Sequence, residues 1–177
     1  MKLSIIIPSY KDPLLHKTID SLLENSELGA DMEIVVVLDG YVPTMPVKDD
    51  PRIKIHSIEN NRGMRNAINS GVSVSKGEYI MKCDEHCMFD KGFDVKLLAD
   101  IQDNLVVIPR RYKLDVEKWI ICEDDKRPVD YDKLVIHPEK IGGMDWVSRT
   151  KERKDILIDE TMVFQGSCWV MSRKHWD

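Results

Sequence analysis

The chain has 177 residues and a formal net charge of -5, with 42% hydrophobic and 32% charged residues. That length suits one domain, or one and a half, with a core of its own. The acidic balance argues against non-specific nucleic-acid binding, and no run is long and apolar enough to span a bilayer, so neither nucleic acid nor a membrane span is expected.

The start, Met1-Lys2-Leu3-Ser4-Ile5-Ile6-Ile7-Pro8, carries one charge and then a brief apolar run. A signal peptide needs a longer apolar region and a small-residue cleavage site. The segment therefore reads as a first strand, Leu3 to Ile7, buried on both faces, and the protein as cytoplasmic. After Asp12-Pro13, residues Leu15, Ile19, Leu22 and Leu23 recur at helical spacing, and Pro13 stands where a helix start tolerates it. Glu33 to Leu38 is a second buried strand ending at Asp39-Gly40, and Ile53 to Ile58 alternates as a third. Met64, Ala67, Ile68 and Gly71 give a second helix, Tyr79 to Met81 a fourth strand, and Val106 to Pro109 a fifth.

Strands alternating with helices imply right-handed crossovers and a mostly parallel sheet. Ligands of such sheets bind outside the carboxyl ends of the strands. Those ends are Pro8-Ser9-Tyr10, Asp39-Gly40, Glu59 to Gly63 and Asp84-Glu85-His86, and the polar clusters sit at them. From about Tyr112 to Asp155 no clear period remains, which reads as a loop-rich segment bearing acceptor contacts or a lid. Val163 to Met171 returns as a strand-like run.

The Lys82-Cys83-Asp84-Glu85-His86-Cys87 stretch follows the fourth strand directly. Side chains alternate along an extended chain, so Asp84 and His86 would share one side and could reach one divalent cation, while Glu85 points away. Imidazole with carboxylate suits a first-row transition metal better than magnesium. Cys83 and Cys87 flank this pair, but their spacing does not fit a two-residue-gap knuckle, and Cys122 and Cys168 stand alone. Four reduced thiols is the reading that suits a cytosolic chain.

Strand-Pro8-Ser9-Tyr10, strand-Asp39-Gly40, Asn61-Arg62-Gly63 through Ala67, Asn69 and Gly71, then Gly77-Glu78-Tyr79-Ile80 and Asp84-Glu85-His86, together resemble a family 2 glycosyltransferase of the GT-A fold. Gln165-Gly166-Ser167 through Arg173 resembles a later motif of that family. The resemblance implies an α/β, Rossmann-like nucleotide-diphospho-sugar transferase fold, a mostly parallel sheet flanked by helices. It implies a donor-binding half over 1–110 and a loop-rich acceptor and donor-sugar segment over 111–177. The function implied is transfer of a sugar from a UDP-sugar donor to an unknown acceptor, with a divalent ion on the pyrophosphate.

Most of the family carries Asp-x-Asp at this strand end. Asp84-x-His86 resembles the variant of polypeptide N-acetylgalactosaminyltransferases, which implies Mn2+ (or Mg2+) on Asp84 and His86. The nucleotide would fall to Pro8, Ser9, Tyr10, Asp12, Asp39, Arg62, Gly63, Arg65 and Asp84, and the donor sugar to Gln165, Gly166, Ser167 and Trp169. Asp39 would accept the uracil N–H, or else serve its own turn. Asp12 would meet base or ribose, or else cap the helix after it. Arg62 and Arg65 would form an anion site at a helix start, or a solvated face. Trp169 would be a sugar platform or a core aromatic.

The family continues into a helix bearing an acidic residue that, in inverting members, deprotonates the acceptor. The sequence stops at His175-Trp176-Asp177, so it reads as C-terminally truncated, with its base expected beyond Asp177. Asp159 and Glu160 precede the sugar motif and are not assigned, and His137 has only its residue type to recommend it as a third ligand. A nucleotidyltransferase would need a Gly-rich loop after the first strand, and Pro8-Ser9-Tyr10-Lys11-Asp12 offers none. A non-catalytic nucleotide-sugar-binding domain is the alternative from another class.

Overall fold

A computed structural model of the chain describes residues 1–123, 134–137, 140–144, 151–161 and 166–177. The chain divides into two compact units, Met1–Val107 with Ser167–Asp177, and Ile108–Gly166. The first holds strands β1 (Leu3–Ser9), β2 (Met32–Asp39), β3 (Ile53–Ile58) and β4 (Tyr79–Cys83), and helices α1 (Leu15–Asn25), α2 (Met64–Val74) and α3 (Phe93–Ala99). The second has two short antiparallel hairpins, β5 (Leu114–Asp115) with β6 (Ile120–Ile121) and β7 (Leu134–His137) with β8 (Lys140–Met144). β9 (Cys168–Ser172) and α4 (Arg173–Trp176) return to the first unit.

The main sheet has the order β3-β2-β1-β4-β9. β1 to β4 run parallel, and β9 closes the β4 edge antiparallel, pairing Cys83 with Cys168 and Tyr79 with Ser172. This is the α/β, mostly parallel arrangement expected of the GT-A fold. β1 and β2 are buried almost throughout, because apolar side chains on both faces meet helices. One face, with Ile5, Ile7, Ile34, Val36, Met81 and Cys83, packs on Leu15, Ile19 and Leu22 of α1 and on Phe93 of α3. The other lies under α2, where Gly71 admits the sheet so closely that an added Cβ would stand 2.6 Å from Ile6 Cγ2 and 2.8 Å from Val37 Cγ2.

The amino ends of the strands are tied by polar groups rather than by packing alone. Ser4 Oγ donates to Glu33 Oε1 at 2.6 Å and accepts the Gly77 N–H at 2.7 Å, while the Lys76 N–H donates to the same Glu33 oxygen. Arg173 spreads its guanidinium over the end of α2, donating to Gly77 O, Val72 O and Ser75 Oγ.

Two expectations need correction. Val106 to Pro109 forms no regular strand: Val107 alone makes a bridge, exchanging two 2.8 Å hydrogen bonds with Val170. The run is too short to extend a ladder, and Pro109 has no N–H to give. The segment read as period-free contains the β5–β6 and β7–β8 hairpins, whose strands of two to five residues are too short to announce a period. Part of the Val163 to Met171 run lies outside the described residues, and its described strand begins at Cys168. Among the described residues, no helix is long and apolar enough to cross a membrane.

Candidate functional site

The carboxyl ends of β1, β2 and β4 each deliver polar side chains, as parallel topology dictates. At β4, Asp84 and His86 do lie together: Asp84 Oδ2 is 3.9 Å from His86 Nε2. His86 is 52% exposed, and its Nδ1 sits 2.8 Å from Asp12 Oδ2. A carboxylate can only accept, so Nδ1 carries a proton, and Nε2 is the nitrogen turned towards Asp84. The other oxygen of Asp12 accepts the Leu14 N–H at 2.7 Å, just ahead of α1. Asp12 thus serves the approach to its helix and orients His86 at once, a second role that the sequence reading lacked.

The donor set fits a divalent cation. Two atoms each about 2.0–2.2 Å from one ion lie at most about 4.4 Å apart, and the 3.9 Å between Asp84 Oδ2 and His86 Nε2 is within that reach. A carboxylate on the far nitrogen is the usual support of a metal-binding imidazole. Among the described residues, however, no group of three or more His, Cys, Asp or Glu side chains is arranged around one point. The described residues offer two donors here, Asp84 Oδ2 and His86 Nε2.

The second oxygen of Asp84 is engaged by Lys82. That lysine is only 1% exposed, in β4 between Ile6 of β1 and Trp169 of β9, and its Nζ pairs with Asp84 Oδ1. The backbone of Asp84 is fixed as well, its N–H donating to Ser167 O at 2.9 Å. A lysine between the apolar Tyr79-Ile80-Met81 run and Cys83 was visible in the sequence. Its position two residues before Asp84, on the same side of the strand, was the available signal.

Glu85 lies with His86 in the turn that follows β4 rather than on an extended strand, and its carboxylate goes to a different partner. It is 9% exposed; Oε1 accepts the Tyr10 N–H at 3.0 Å, and Oε2 has no hydrogen-bond partner. Burial pushes its carboxyl above the ordinary range, offset in part by Ser9 and the Tyr10 N–H and reinforced by the Asp12 charge. Ser9, fully buried, shares a short hydroxyl contact with Tyr41. Burial raises the Tyr41 phenol, which the Ser9 bond counteracts and the Glu85 charge augments. The exposed Tyr10 ring meets Tyr41 edge-on at 6.0 Å, and Lys11 Nζ lies 4.9 Å from its centroid. Tyr41 follows Asp39-Gly40 directly and was missed because nothing in its spacing marks it.

At β2, Asp39 is buried and both its oxygens are occupied. Oδ1 accepts the Arg62 N–H and Oδ2 the Gly63 N–H, each at 2.8 Å, while Asn61 Nδ2 reaches its carbonyl. The carboxylate therefore braces the loop entering α2, not its own turn, and retains lone pairs for a further donor. Gly40 and Gly63 have φ of +76° and +82°, and a Cβ on Gly40 would stand 2.2 Å from Asn61 N. The Arg62 and Arg65 side chains are exposed beside this loop, and Pro8 is half-buried at the end of β1.

Of the sugar motif, Gln165 lies outside the described residues. Gly166 belongs to the second unit, with open space where a Cβ would be. Ser167 is joined to Asp84 through its carbonyl. Trp169 is 8% exposed and stacks on Trp176 with centroids 5.7 Å apart, an aromatic packed at the sheet edge rather than an open platform. Asp159 pairs with Arg153 within the second unit. The side chain of His137 is not among those described. The four cysteines are free thiols. Burial holds Cys83 well above the ordinary thiol range, with Cys87 and Cys168 adding to the effect, which disfavours the thiolate a zinc site needs.

An α/β sheet with a carboxylate, an imidazole and a braced loop gathered at its strand ends has the arrangement in which open α/β domains bind their ligands. The family model for glycosyl transferase family 2 matches residues 4–177, and the chain belongs to that family. It is 31% identical over 106 residues to the uncharacterized glycosyltransferase YwdF of Bacillus subtilis, a match over 58% of this chain and 39% of YwdF. The chain thus spans well under half of that relative. Among solved structures it is similar to S. aureus TarS, with 22% identity, a TM-score of 0.45, and 56% of this chain and 31% of that one covered. A TarS structure in complex with UDP gives 21% identity and a TM-score of 0.46 over 56% of this chain and 31% of that one.

Proposed function

We propose that this chain binds a UDP-sugar at the carboxyl ends of β1, β2 and β4 and takes part in transferring its sugar to an acceptor. Family membership supports the reaction class. The observation that carries the site is the Asp12–His86–Asp84 array, a supported imidazole facing a carboxylate across 3.9 Å. Asp84 and His86 would hold Mn2+, or Mg2+ in its place; bound there with the diphosphate, the ion would neutralise charge on the leaving group. Asp12 keeps the His86 ring turned for that purpose. Asp39 presents Arg62 and Gly63 to the nucleotide and keeps lone pairs for the uracil N–H, while Tyr10 offers an exposed ring for stacking.

Calorimetric titration of UDP with Mn2+, and again with a chelator, tests the reading. Manganese-dependent binding is expected, and it should disappear in Asp84→Ala. Equal binding with and without the chelator would remove the metal assignment. Release of free UDP from a UDP-sugar in the presence of Mn2+ separates a transferase site from a binding module, which should give no turnover.

A further inference from the structure

The Lys82–Asp84 pair has no place in the function described so far. A lysine that is 1% exposed, within a strand whose neighbours are apolar, is held only where a counter-charge or acceptor meets its ammonium. Here that counter-charge is the carboxylate assigned to the cation. Asp84 is the less buried partner, its side chain 21% exposed, so the pair lies at the floor of the site with the carboxylate uppermost. Oδ1 is turned down to Lys82 and Oδ2 towards His86.

Two consequences follow from elementary electrostatics. Lys82 fixes the rotamer of Asp84, so one oxygen is presented before any ligand arrives. It also offsets the charge of Asp84, so a divalent ion approaching the free protein meets an ammonium directly behind its carboxylate ligand, with the Asp12 carboxylate on the far side of His86. Like charges a few ångströms apart in a partly buried setting repel strongly.

We infer that Lys82 is a positioning residue that keeps the free protein a poor metal binder, so that the cation enters together with a diphosphate and not ahead of it. This rests on the reading of Asp84 and His86 as metal ligands. The diphosphate restores the negative charge that Lys82 removes, and the ordered geometry of Asp84 is already in place to receive the complex.

Mn2+ binding to the whole chain, read from loss of the electron paramagnetic resonance signal of the free ion, tests this with and without saturating UDP. Wild type should bind the free ion weakly and bind it far more tightly with UDP. Lys82→Met should tighten binding of the free ion by about tenfold or more, the scale expected for removing a nearby like charge, with a smaller change when UDP is present. Simple structural damage would weaken metal binding, so a gain in affinity is not its signature. Lys82→Gln keeps a polar contact for Asp84 and should show the same gain, which covers a failure of the methionine variant to fold. Unchanged or weaker free-ion binding in the folded variants would overturn the inference, as would wild-type protein that binds Mn2+ equally well without UDP. If wild type binds no Mn2+ even with UDP, the metal reading of Asp84 and His86 fails, and this inference fails with it.

Discussion

Asp12 and His86 are joined at 2.8 Å between Oδ2 and Nδ1, linking the loop after β1 to the loop after β4. The carboxylate serves two masters, since its other oxygen holds the Leu14 N–H. Loss of an outer partner of this kind lowers metal affinity by about 10–100-fold. Asp12→Asn should therefore weaken manganese-dependent UDP binding within that range, by titration calorimetry, while metal-free protein keeps its fold by circular dichroism. Affinity equal to wild type would show that the imidazole needs no support.

Removing one carboxylate oxygen at Asp39 leaves an amide N–H2 facing a backbone N–H. Asp39→Asn should cost about 1–3 kcal/mol of stability, the usual consequence of a buried donor without an acceptor. It should also reduce discrimination between UDP and CDP, because the acceptor for the uracil N–H is altered. A stability loss with unchanged UDP-to-CDP preference would restrict Asp39 to bracing Arg62 and Gly63.

Gly71→Ala introduces a Cβ at 2.6 Å from Ile6 Cγ2 and 2.8 Å from Val37 Cγ2. Alanine would normally improve a helix by roughly 0.5–1 kcal/mol. Overpacking of this kind costs about 1–3 kcal/mol, so the net effect should be a lower Tm in a thermal melt. A raised Tm would mean that α2 can lift from the sheet without loss.

Asp94 is buried at the start of α3, where it accepts hydrogen bonds from the Ser26 hydroxyl and from the Glu27, Leu28 and Val95 N–H groups. Burial alone would raise its carboxyl, but these donors together outweigh it and hold the group below the usual range. A carboxyl depressed on folding stabilises above its unfolded value, about 3.9, and that contribution is lost as pH falls through the folded value. Stability measured by urea unfolding should decline from about pH 4 downward in wild type, and decline less over the same window in Asp94→Asn. Parallel pH curves for the two would remove Asp94 from the acid response.

Most of the sheet was legible because β1, β2 and β4 are buried almost throughout, with Asp39-Gly40 closing β2 and Asp84 following β4, although β1 runs on through Pro8 to Ser9. The two long helices were legible from Leu15 to Leu23 and from Met64 to Gly71, where an apolar stripe repeats. α3 escaped because seven residues carry too little period. The pairing of Asp84 with His86 was expected from an extended chain, but the two meet across the turn at Glu85-His86 that follows β4. The Asp12–His86 contact joins residues 74 apart, and no local rule reports such a meeting. Ser9, Tyr41 and Glu85 form their buried cluster for the same reason: β1, β2 and β4 lie side by side only after crossovers that the local pattern does not locate.

The antiparallel entry of β9 has a bearing on the order of folding. β1 to β4 and their helices lie within the first 83 positions and pair with one another. The Asp84 N–H, by contrast, waits for Ser167, which arrives with β9 from the far end of the chain. Closing that long loop adds an entropic cost that grows only slowly with length but must be met before the contact forms. The edge strand is thus the natural last element to dock and the first to open, and the Asp84 amide should exchange with solvent sooner than those of β1 and β2. A nucleotide bound over Asp84 would slow that exchange, reporting occupancy of the site from the backbone itself.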